Sequence, residues 1–251
     1  MSALVEHDRQ RTSFVTKQFD ALLFDAGGIF VVPDPTTVGM VVEQFGGQGD
    51  VASMVRAHYA GMAALDHLAL ERESGSIDKV SWDTYRRAVA MVSGIPAERG
   101  DEAVVRLRDM YSPMLWRWPI LESTAALWRL HLKGVPLGVV SNASGQIEAT
   151  LANQCILQVG QGAGVPVLIV TDSHVVGYAK PDPRIFDDAI AVLESKGIER
   201  SRIGYVGDSY VNDMGAARNA GLSGVLLDPY DDRINFDCLR VRSLHELVEM
   251  V

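Results

Sequence analysis

Three apolar runs of this chain each end on a polar residue, and this feature constrains the fold more than any other. The runs are residues 21–25, 137–141 and 203–208. Each is short and β-compatible, and helical patterns alternate with strands in the second half of the chain. Such alternation is typical of a parallel sheet with helices on both faces, in which ligands bind outside the carboxyl ends of the strands. The sequence therefore predicts a Rossmann-like α/β core in which the three terminal polar residues share one site.

The composition limits the class of protein. With 251 residues, of which 47% are hydrophobic, the chain can form one large domain or one domain that carries a smaller insert. Its net charge of -9 argues against nucleic acid as a partner, whereas a small anionic metabolite needs only local positive charge. Cys155 and Cys238 have neither metal-site nor disulfide spacing, which favours the cytoplasm. No run approaches the roughly 18 apolar residues of a membrane span, so no membrane partner is expected, and both a monomer and a homodimer fit the sequence.

The order of the predicted elements divides the chain into a core and an insert. Residues 1–17 are mixed and charged and are predicted to be a flexible N-terminal tail. Residues 18–33 and 118–251 form the predicted α/β core, and residues 34–117 form a predicted all-helical cap without strands. The predicted cap helices span 38–45, 51–71, 79–92 and 101–115, the core helices 122–132, 146–154, 184–196, 214–219 and 244–250, and two further strands 165–171 and 223–228.

Two of the strand ends fit a phosphate site. Asp25 precedes Ala26, Gly27 and Gly28, so its carboxylate has little bulk around it and can attack phosphorus, although Asp beside Gly is also common turn chemistry. Ser141-Asn142 ends the next core strand and precedes a helix. Hydroxyl, amide and helix N-terminal N–H groups could face one anion there, or simply cap the helix.

Two further segments carry charge that could serve such a site. Pro181 holds Lys180 in an extended conformation just before a helix, so stiff backbone presents this lysine, although most lysines are solvated surface groups. Asp208 ends a strand, and Asp213 starts the next helix, where it could also be a helix cap. Their oxygens suit a hard divalent cation, and magnesium is the natural candidate because one or two carboxylates, substrate phosphate and water complete its shell.

Together these segments resemble the four motifs of the haloacid dehalogenase superfamily of hydrolases. The resemblance covers residues 19–228 and rests, in chain order, on Asp25-x-Gly27-Gly28, Ser141-Asn142, Lys180-Pro181-Asp182 and Gly207-Asp208-Ser209 followed by Asn212-Asp213. It implies that the helical insert is the cap of the subgroup whose lid enters between the first two motifs. It also implies Mg²⁺-dependent hydrolysis of a small phosphate monoester.

The resemblance further implies a role for each motif residue. Asp25 is the nucleophile that becomes a phosphoaspartate, and Ser141 and Lys180 complete the catalytic set. The groups that bind the substrate phosphate are Ser141, Asn142 and Lys180. The metal ligands are Asp25, the backbone carbonyl of Gly27 and Asp208, with Asp213 supporting the shell.

Gly27 departs from the pattern of the family's phosphatases. In those enzymes the residue two positions beyond the nucleophile is usually a second Asp, which protonates the leaving group and later activates water. General acid-base catalysis contributes about 10²- to 10⁴-fold, so the departure predicts slow turnover or a substitute group. The cap offers four ionisable groups in one helical stretch, and the sequence favours solvated helix positions for all of them: His58, Asp66, His67 and Glu71.

Three alternative functions follow from the same residues. A phosphate-binding or regulatory protein that has lost hydrolysis is favoured by Gly27. A haloacid dehalogenase is disfavoured, since in the family that chemistry needs no magnesium and has an aromatic residue where Gly27 stands. Phosphonoacetaldehyde hydrolysis needs a cap lysine, for which the cap offers only Lys79.

Trp116 and Trp118 flank the junction between cap and core, where a packing role at a hinge is predicted.

Overall fold

The computed structural model describes residues 17–72 and 82–251, which contain a six-stranded parallel sheet flanked by helices. Neither range contains a helix long and apolar enough to cross a membrane. The strands are β1 Ala21–Phe24, β2 Val31–Pro33, β3 Trp116–Pro119, β4 Leu137–Ser141, β5 Leu157–Val159, β6 Val165–Val167, β7 Val170–Asp172, β8 Ile203–Gly207, β9 Ser223–Leu227 and β10 Leu239–Val241. The helices are α1 Pro35–Gln44, α2 Val51–Glu71, α3 Trp82–Val92, α4 Gly100–Met110, α5 Leu121–Leu132, α6 Ile147–Asn153, α7 Ser173–Val176, α8 Asp187–Glu194 and α9 Gly215–Asn219.

β1 lies inside the sheet, whose strand order is β10-β9-β8-β1-β4-β7. Its two neighbours run parallel to it, with Leu22 opposite Leu137 of β4 and Phe24 opposite Val206 of β8. All residues of β1 are buried, because helices cover both faces of a parallel sheet. The carboxyl ends of β1, β4 and β8 therefore lie side by side, and the predicted Rossmann-like α/β class is confirmed.

Alternate residues of the central strands enter two separate apolar layers. On one face Leu22 and Phe24 pack in a cluster that includes Leu127 of α5. On the other face Leu23 packs in a cluster that includes Phe186, just before α8. Because β1 packs between these two layers, they fix the position of its end, after which Asp25 follows.

Helices α1 to α4 form an insert with an apolar core of its own. α2 and α3 approach closely at Gly61, where a Cβ atom would lie 2.4 Å from the Tyr85 ring. An antiparallel ribbon of β2 and β3 lies where the insert joins the core, with Val32 opposite Trp118. The prediction that residues 34–117 contain no strand is wrong at its last two residues, because β3 takes its hydrogen-bonding partner from a distant segment.

Several other element predictions need correction. The predicted strand 165–171 consists of β6 and β7, which pair with different strands, β5 and β4. The predicted helix 101–115 ends at Met110, and the predicted terminal helix is a run of 3₁₀ turns over Leu244–Glu249. β5 and β10 were not predicted, since each is only three residues long and depends on a neighbouring strand. Residues 1–16 of the predicted tail and residues 79–81 of a predicted helix lie outside the described residues.

Candidate active site

Three polar residues from different strands meet at the carboxyl edge of the sheet. Asp25 follows β1 directly, and its N–H donates to the Val206 carbonyl of β8 at 2.8 Å. Ser141 is the last residue of β4, and Asp208 follows β8. Because β1 lies between β4 and β8, the fold brings these distant parts of the sequence to one crevice.

Lys180 places a buried positive charge among these groups. Its Nζ lies 3.0 Å from Asp25 Oδ1 and 2.6 Å from Asp213 Oδ1, and it donates to the Tyr205 hydroxyl at 2.8 Å. Burial opposes the charge on Lys180, but the Asp213 and Asp25 carboxylates more than offset it and raise the pKa of the amine above its ordinary value. Lys180 is therefore an ammonium group that can hold an anionic oxygen beside Asp25.

Asn142 positions the lysine backbone. The Lys180 N–H donates to Asn142 Oδ1 at 2.7 Å, and Asn142 Nδ2 donates to the Lys180 carbonyl at 3.1 Å. Both ends of the amide side chain are thus engaged by one residue. Of the side-chain donors, one N–H of Asn142 Nδ2 is used in this way, so the second Nδ2 N–H and the main-chain N–H are the groups of Asn142 that could donate to a bound phosphate.

Three carboxylates surround the site. Asp25, Asp208 and Asp213 offer oxygen atoms that all lie within 4.8 Å of one another. Asp213 Oδ2 also accepts from the Ser209 N–H at 2.9 Å, so Asp213 braces both the lysine and the loop after β8. The Asp208 carboxylate has room only because Gly28 carries no side chain, since a Cβ atom there would lie 1.9 Å from Asp208 Oδ2.

The electrostatics of this cluster favour a bound cation. Burial raises the pKa of Asp25 to about 6, and the Asp213 and Asp208 charges add to that rise. The Lys180 ammonium and a hydrogen bond from Ser141 act in the opposite direction and favour the charged form. Three carboxylates beside one ammonium leave excess negative charge in a buried place, and their oxygens are the donor set that a hard divalent cation prefers. The residues present therefore fit Mg²⁺.

Gly27 lies under an aromatic ring. A Cβ atom at this position would lie 3.0 Å from Cζ3 of Trp116, the first residue of β3. Trp116 also packs edge-on against His58, with ring centroids 5.4 Å apart. Trp116, which is predicted to pack at a hinge, thus also lines the crevice, and its ring lies against the position that a Cβ atom of residue 27 would occupy.

His58 of α2 reaches into the same crevice and is only 2% exposed, so its predicted solvated position is wrong. Its Nε2 lies 3.2 Å from Asp208 Oδ2, and its Nδ1 lies 3.0 Å from the Tyr85 hydroxyl. The neighbouring Tyr59 hydroxyl donates to the Gly28 carbonyl at 2.7 Å. Helix α2 thus contacts both the loop after β1 and a predicted metal ligand.

Asp66 is a second cap residue whose predicted solvated position is wrong, because it is completely buried. His58, Met62 and Asp66 are spaced four residues apart and lie on one buried face of α2. Two ionisable residues in register with an apolar face were the signal that could have revealed them. The solvated prediction is confirmed for His67 and Glu71, which are exposed, while Lys79 lies outside the described residues.

Comparisons with known proteins agree with this architecture. A family model described as haloacid dehalogenase-like hydrolase matches residues 19–221. Haloacid dehalogenase-like hydrolase domain-containing protein 3 from Bos taurus is 31% identical over 131 residues, which are 51% of this chain and 47% of that protein. Phosphoserine phosphatase from Thermus thermophilus is 28% identical over 168 residues, 65% of this chain and 61% of that enzyme. The matches thus span about half the length of the first of these curated relatives and somewhat more of the second.

A solved structure shows the same fold over nearly the whole length. The HAD-hydrolase YfnB from Bacillus subtilis, determined bound to magnesium, aligns with 92% of this chain and 97% of its own at a TM-score of 0.55 and 18% identity. The family model covers well over half of the chain, from before β1 to beyond α9. The chain therefore belongs to the haloacid dehalogenase-like hydrolases.

Proposed function

We propose that this hydrolase is a Mg²⁺-dependent phosphatase that cleaves a small phosphate monoester through a phosphoaspartate on Asp25. One observation carries the proposal: the Asp25 carboxylate lies 3.0 Å from a buried ammonium and within a group of three carboxylates. A nucleophile, a cation for phosphoryl oxygens and a set of hard metal ligands are the parts that phosphoryl transfer needs. The relative from Thermus thermophilus is itself named a phosphatase.

Asp25, Asp208 and the Gly27 carbonyl would hold the metal, with Asp213 as support. When bound, the ion neutralises charge on the carboxylates and on the phosphoryl group. YfnB, which shares the fold, was solved with magnesium. In this chain Asp213 already accepts hydrogen bonds on both oxygens, from Lys180 and from Ser209, so its part is to fix the other groups in place.

The chain's own residues account for the substrate steps. Lys180 and Ser141 hold phosphoryl oxygens, and an Asp25 oxygen attacks phosphorus as the bond to the leaving oxygen breaks. The leaving oxygen takes up a proton and departs as an alcohol. Water then attacks phosphorus, the bond to Asp25 breaks, and inorganic phosphate leaves with the free carboxylate regenerated. Because Gly27 supplies no proton for the first step, we expect slow turnover of poor leaving groups.

The experiment that tests the proposal is a substrate panel. Phosphorylated sugars, nucleotides and small phosphorylated acids are incubated with the protein, with Mg²⁺ and after chelation, and released phosphate is measured. We expect phosphate release from at least one small monoester, with a loss of about 100-fold or more on chelation. Hydroxylamine displaces phosphate from a phosphoaspartate and leaves a hydroxamate, so trapping followed by mass spectrometry should find the hydroxamate on Asp25. Release that persists without metal and without trapping would contradict the proposal.

Substituting Gly27 with Asp tests what Trp116 does. We expect Gly27→Asp alone to leave turnover at or below the wild-type rate, because the new side chain meets the Trp116 ring at its first atom. Combining Gly27→Asp with Trp116→Ala frees the space, and we expect a rate at least about 10-fold above Trp116→Ala alone, since a general acid is restored. Steady-state kinetics with one monoester measures all three variants. A large gain from the single substitution would show that Trp116 does not block the position.

A second candidate function is phosphate binding without hydrolysis. It is favoured by one observation, the Trp116 ring over Gly27 where the family's acid-base carboxylate would stand. Tight binding of inorganic phosphate with turnover near zero across the panel would support it. Chloride release from 2-haloacids without metal would instead support dehalogenation.

A further inference from the structure

Asp66 of helix α2 makes a set of hydrogen bonds to the core that a solvated cap residue would not make. Oδ1 accepts from Ser209 Oγ at 3.0 Å and from the Val211 N–H at 3.1 Å. Oδ2 accepts from the Tyr210 N–H and from Arg233 Nε, both at 2.9 Å. A fully buried carboxylate is tolerated only when its charge is paired and its oxygens are satisfied, and this one meets both conditions.

The groups that Asp66 engages form the start of a helical turn. Residues Tyr210–Met214 form one π-helical turn that leads into α9, and the first N–H groups of a helix have no partner within it. A local Ser, Thr, Asn or Asp side chain usually accepts these hydrogen bonds. Here Ser209 Oγ accepts from the Asn212 N–H at 3.1 Å, and Asp66 supplies the remaining acceptors from a different part of the fold.

This turn connects the two carboxylates on the C-terminal side of the site. Asp208 immediately precedes the capped segment, and Asp213 lies within it. The direction of both side chains therefore depends on the conformation of residues 209–212. Whatever holds that conformation also holds the two carboxylates at the distance from Asp25 that a cation needs.

Arg233 completes the connection beneath the loop. Its side chain is fully buried and pairs with Asp66 Oδ2 at 2.9 Å and with Asp228 Oδ1 at 3.2 Å. It also donates to the main-chain carbonyl of Asp208. One guanidinium thus joins the insert, the segment after β9 and the backbone of a predicted metal ligand.

We infer that Asp66 is a positioning residue for the metal site: by capping the turn after Asp208, it makes docking of helix α2 a condition for holding Asp208 and Asp213 in metal-binding geometry. The inference rests on the proposed function for the identity of the metal ligands. Coupling of this kind is reciprocal, so a bound metal stabilises the docked helix as much as the docked helix favours the metal. In this chain the insert thus stabilises, through Asp66, the conformation of the loop that carries the proposed metal ligands.

The inference is tested by metal binding to the full chain, measured as free Mn²⁺ by electron paramagnetic resonance. We expect Asp66→Asn to weaken Mn²⁺ binding by about 10- to 100-fold, the usual range for a group that orients metal ligands. Ser209→Ala removes one of the four hydrogen bonds to Asp66 together with the acceptor of the Asn212 N–H, and it serves if Asp66→Asn does not fold; we expect about 3- to 10-fold weaker binding. The matched control is Asp34→Asn, since Asp34 is also a buried carboxylate that caps a helix, α1, but it accepts hydrogen bonds from Thr36, Thr37 and Arg117 and not from the metal loop.

Two further readouts separate positioning from a loss of folded protein. The Mg²⁺ concentration that gives half of the maximal activity should be higher in Asp66→Asn than in wild type, while kcat at saturating Mg²⁺ stays close to that of wild type. A lower fraction of folded enzyme would instead lower kcat and leave that Mg²⁺ concentration unchanged. Mn²⁺ should also raise the melting temperature less in Asp66→Asn than in wild type. Wild-type Mn²⁺ binding in both Asp66→Asn and Ser209→Ala, with binding lost in Asp208→Asn, would overturn this inference alone. Unchanged binding in Asp208→Asn would overturn the proposed metal site and the inference together.

Discussion

Asp25→Asn should reduce phosphate release by more than about 10³-fold, because it replaces the proposed nucleophile with an amide that is a far weaker nucleophile. The loss should appear in kcat with every substrate of the panel, and hydroxylamine trapping should fail. We expect the variant to fold, because it keeps the shape of the side chain and removes one of three crowded negative charges, and a thermal melt checks this.

The matched control for this variant is Asp20→Asn. Asp20 immediately precedes β1, at the end of the strand opposite Asp25, and pairs with Arg202 at 3.0 Å on the surface. The same chemical change there should leave kcat within about twofold of wild type, since exposed ion pairs contribute little. Equal rates for Asp25→Asn and wild type would disprove the covalent mechanism.

Asp25→Asn should also stabilise the metal-free protein, and the size of this stabilisation should depend on pH. The pKa of Asp25 is about 6 in the folded state, chiefly because of burial, against an ordinary value of 3.8. Between these values the folded state binds more protons than the unfolded state, so wild-type stability falls as the pH rises from about 4 to about 6. Asp25→Asn lacks this loss. The free energy of unfolding of the variant should therefore exceed that of wild type by little at pH 4 and by at most about 3 kcal/mol above pH 6. Thermal melts in chelator at several pH values measure it, and added Mg²⁺ should reduce the difference by stabilising the wild type.

Gly28→Ala should have the second large effect, the loss of metal binding. The Cβ atom would lie 1.9 Å from Asp208 Oδ2, so the carboxylate must leave its position beside Asp25 and Asp213. The backbone φ of 68° also disfavours any side chain. We expect Mn²⁺ affinity and Mg²⁺-dependent turnover to fall by about 100-fold or more.

Gly134→Ala is the control that isolates the backbone effect. Gly134 has a similar φ of 76°, lies between α5 and β4, and an added Cβ atom there meets nothing within 4 Å. Its substitution should lower the free energy of unfolding by about 1 kcal/mol without changing metal affinity. If both variants lost metal binding equally, or if Gly28→Ala bound Mn²⁺ normally, the close contact with Asp208 would not matter for the site.

Much of the core could be predicted because its signals are local. Each of β1, β4 and β8 is an apolar run that ends on a polar residue, and the parallel order of such strands places those ends at one edge whatever the details of packing. The short strands β5 and β10 and the ribbon of β2 and β3 lack such signals, since pairing with a distant segment makes them strands. The resemblance of the four motifs to a known superfamily added roles that spacing alone left open.

The sequence by itself determined the class of the core and the meeting of Asp25, Ser141 and Asp208, because the carboxyl ends of parallel strands share one edge of the sheet wherever the rest of the chain lies. The family and the place of Lys180 beside these residues were predicted from the resemblance of the four motifs. Only the tertiary structure decided that Asn142 hydrogen-bonds to the backbone of Lys180, that the Trp116 ring packs over Gly27, and that His58 and Asp66 are buried against the core. Those facts depend on which face of a helix or ribbon docks against which loop. A buried face is a property of two surfaces in contact, and the pattern of one segment specifies only one of them.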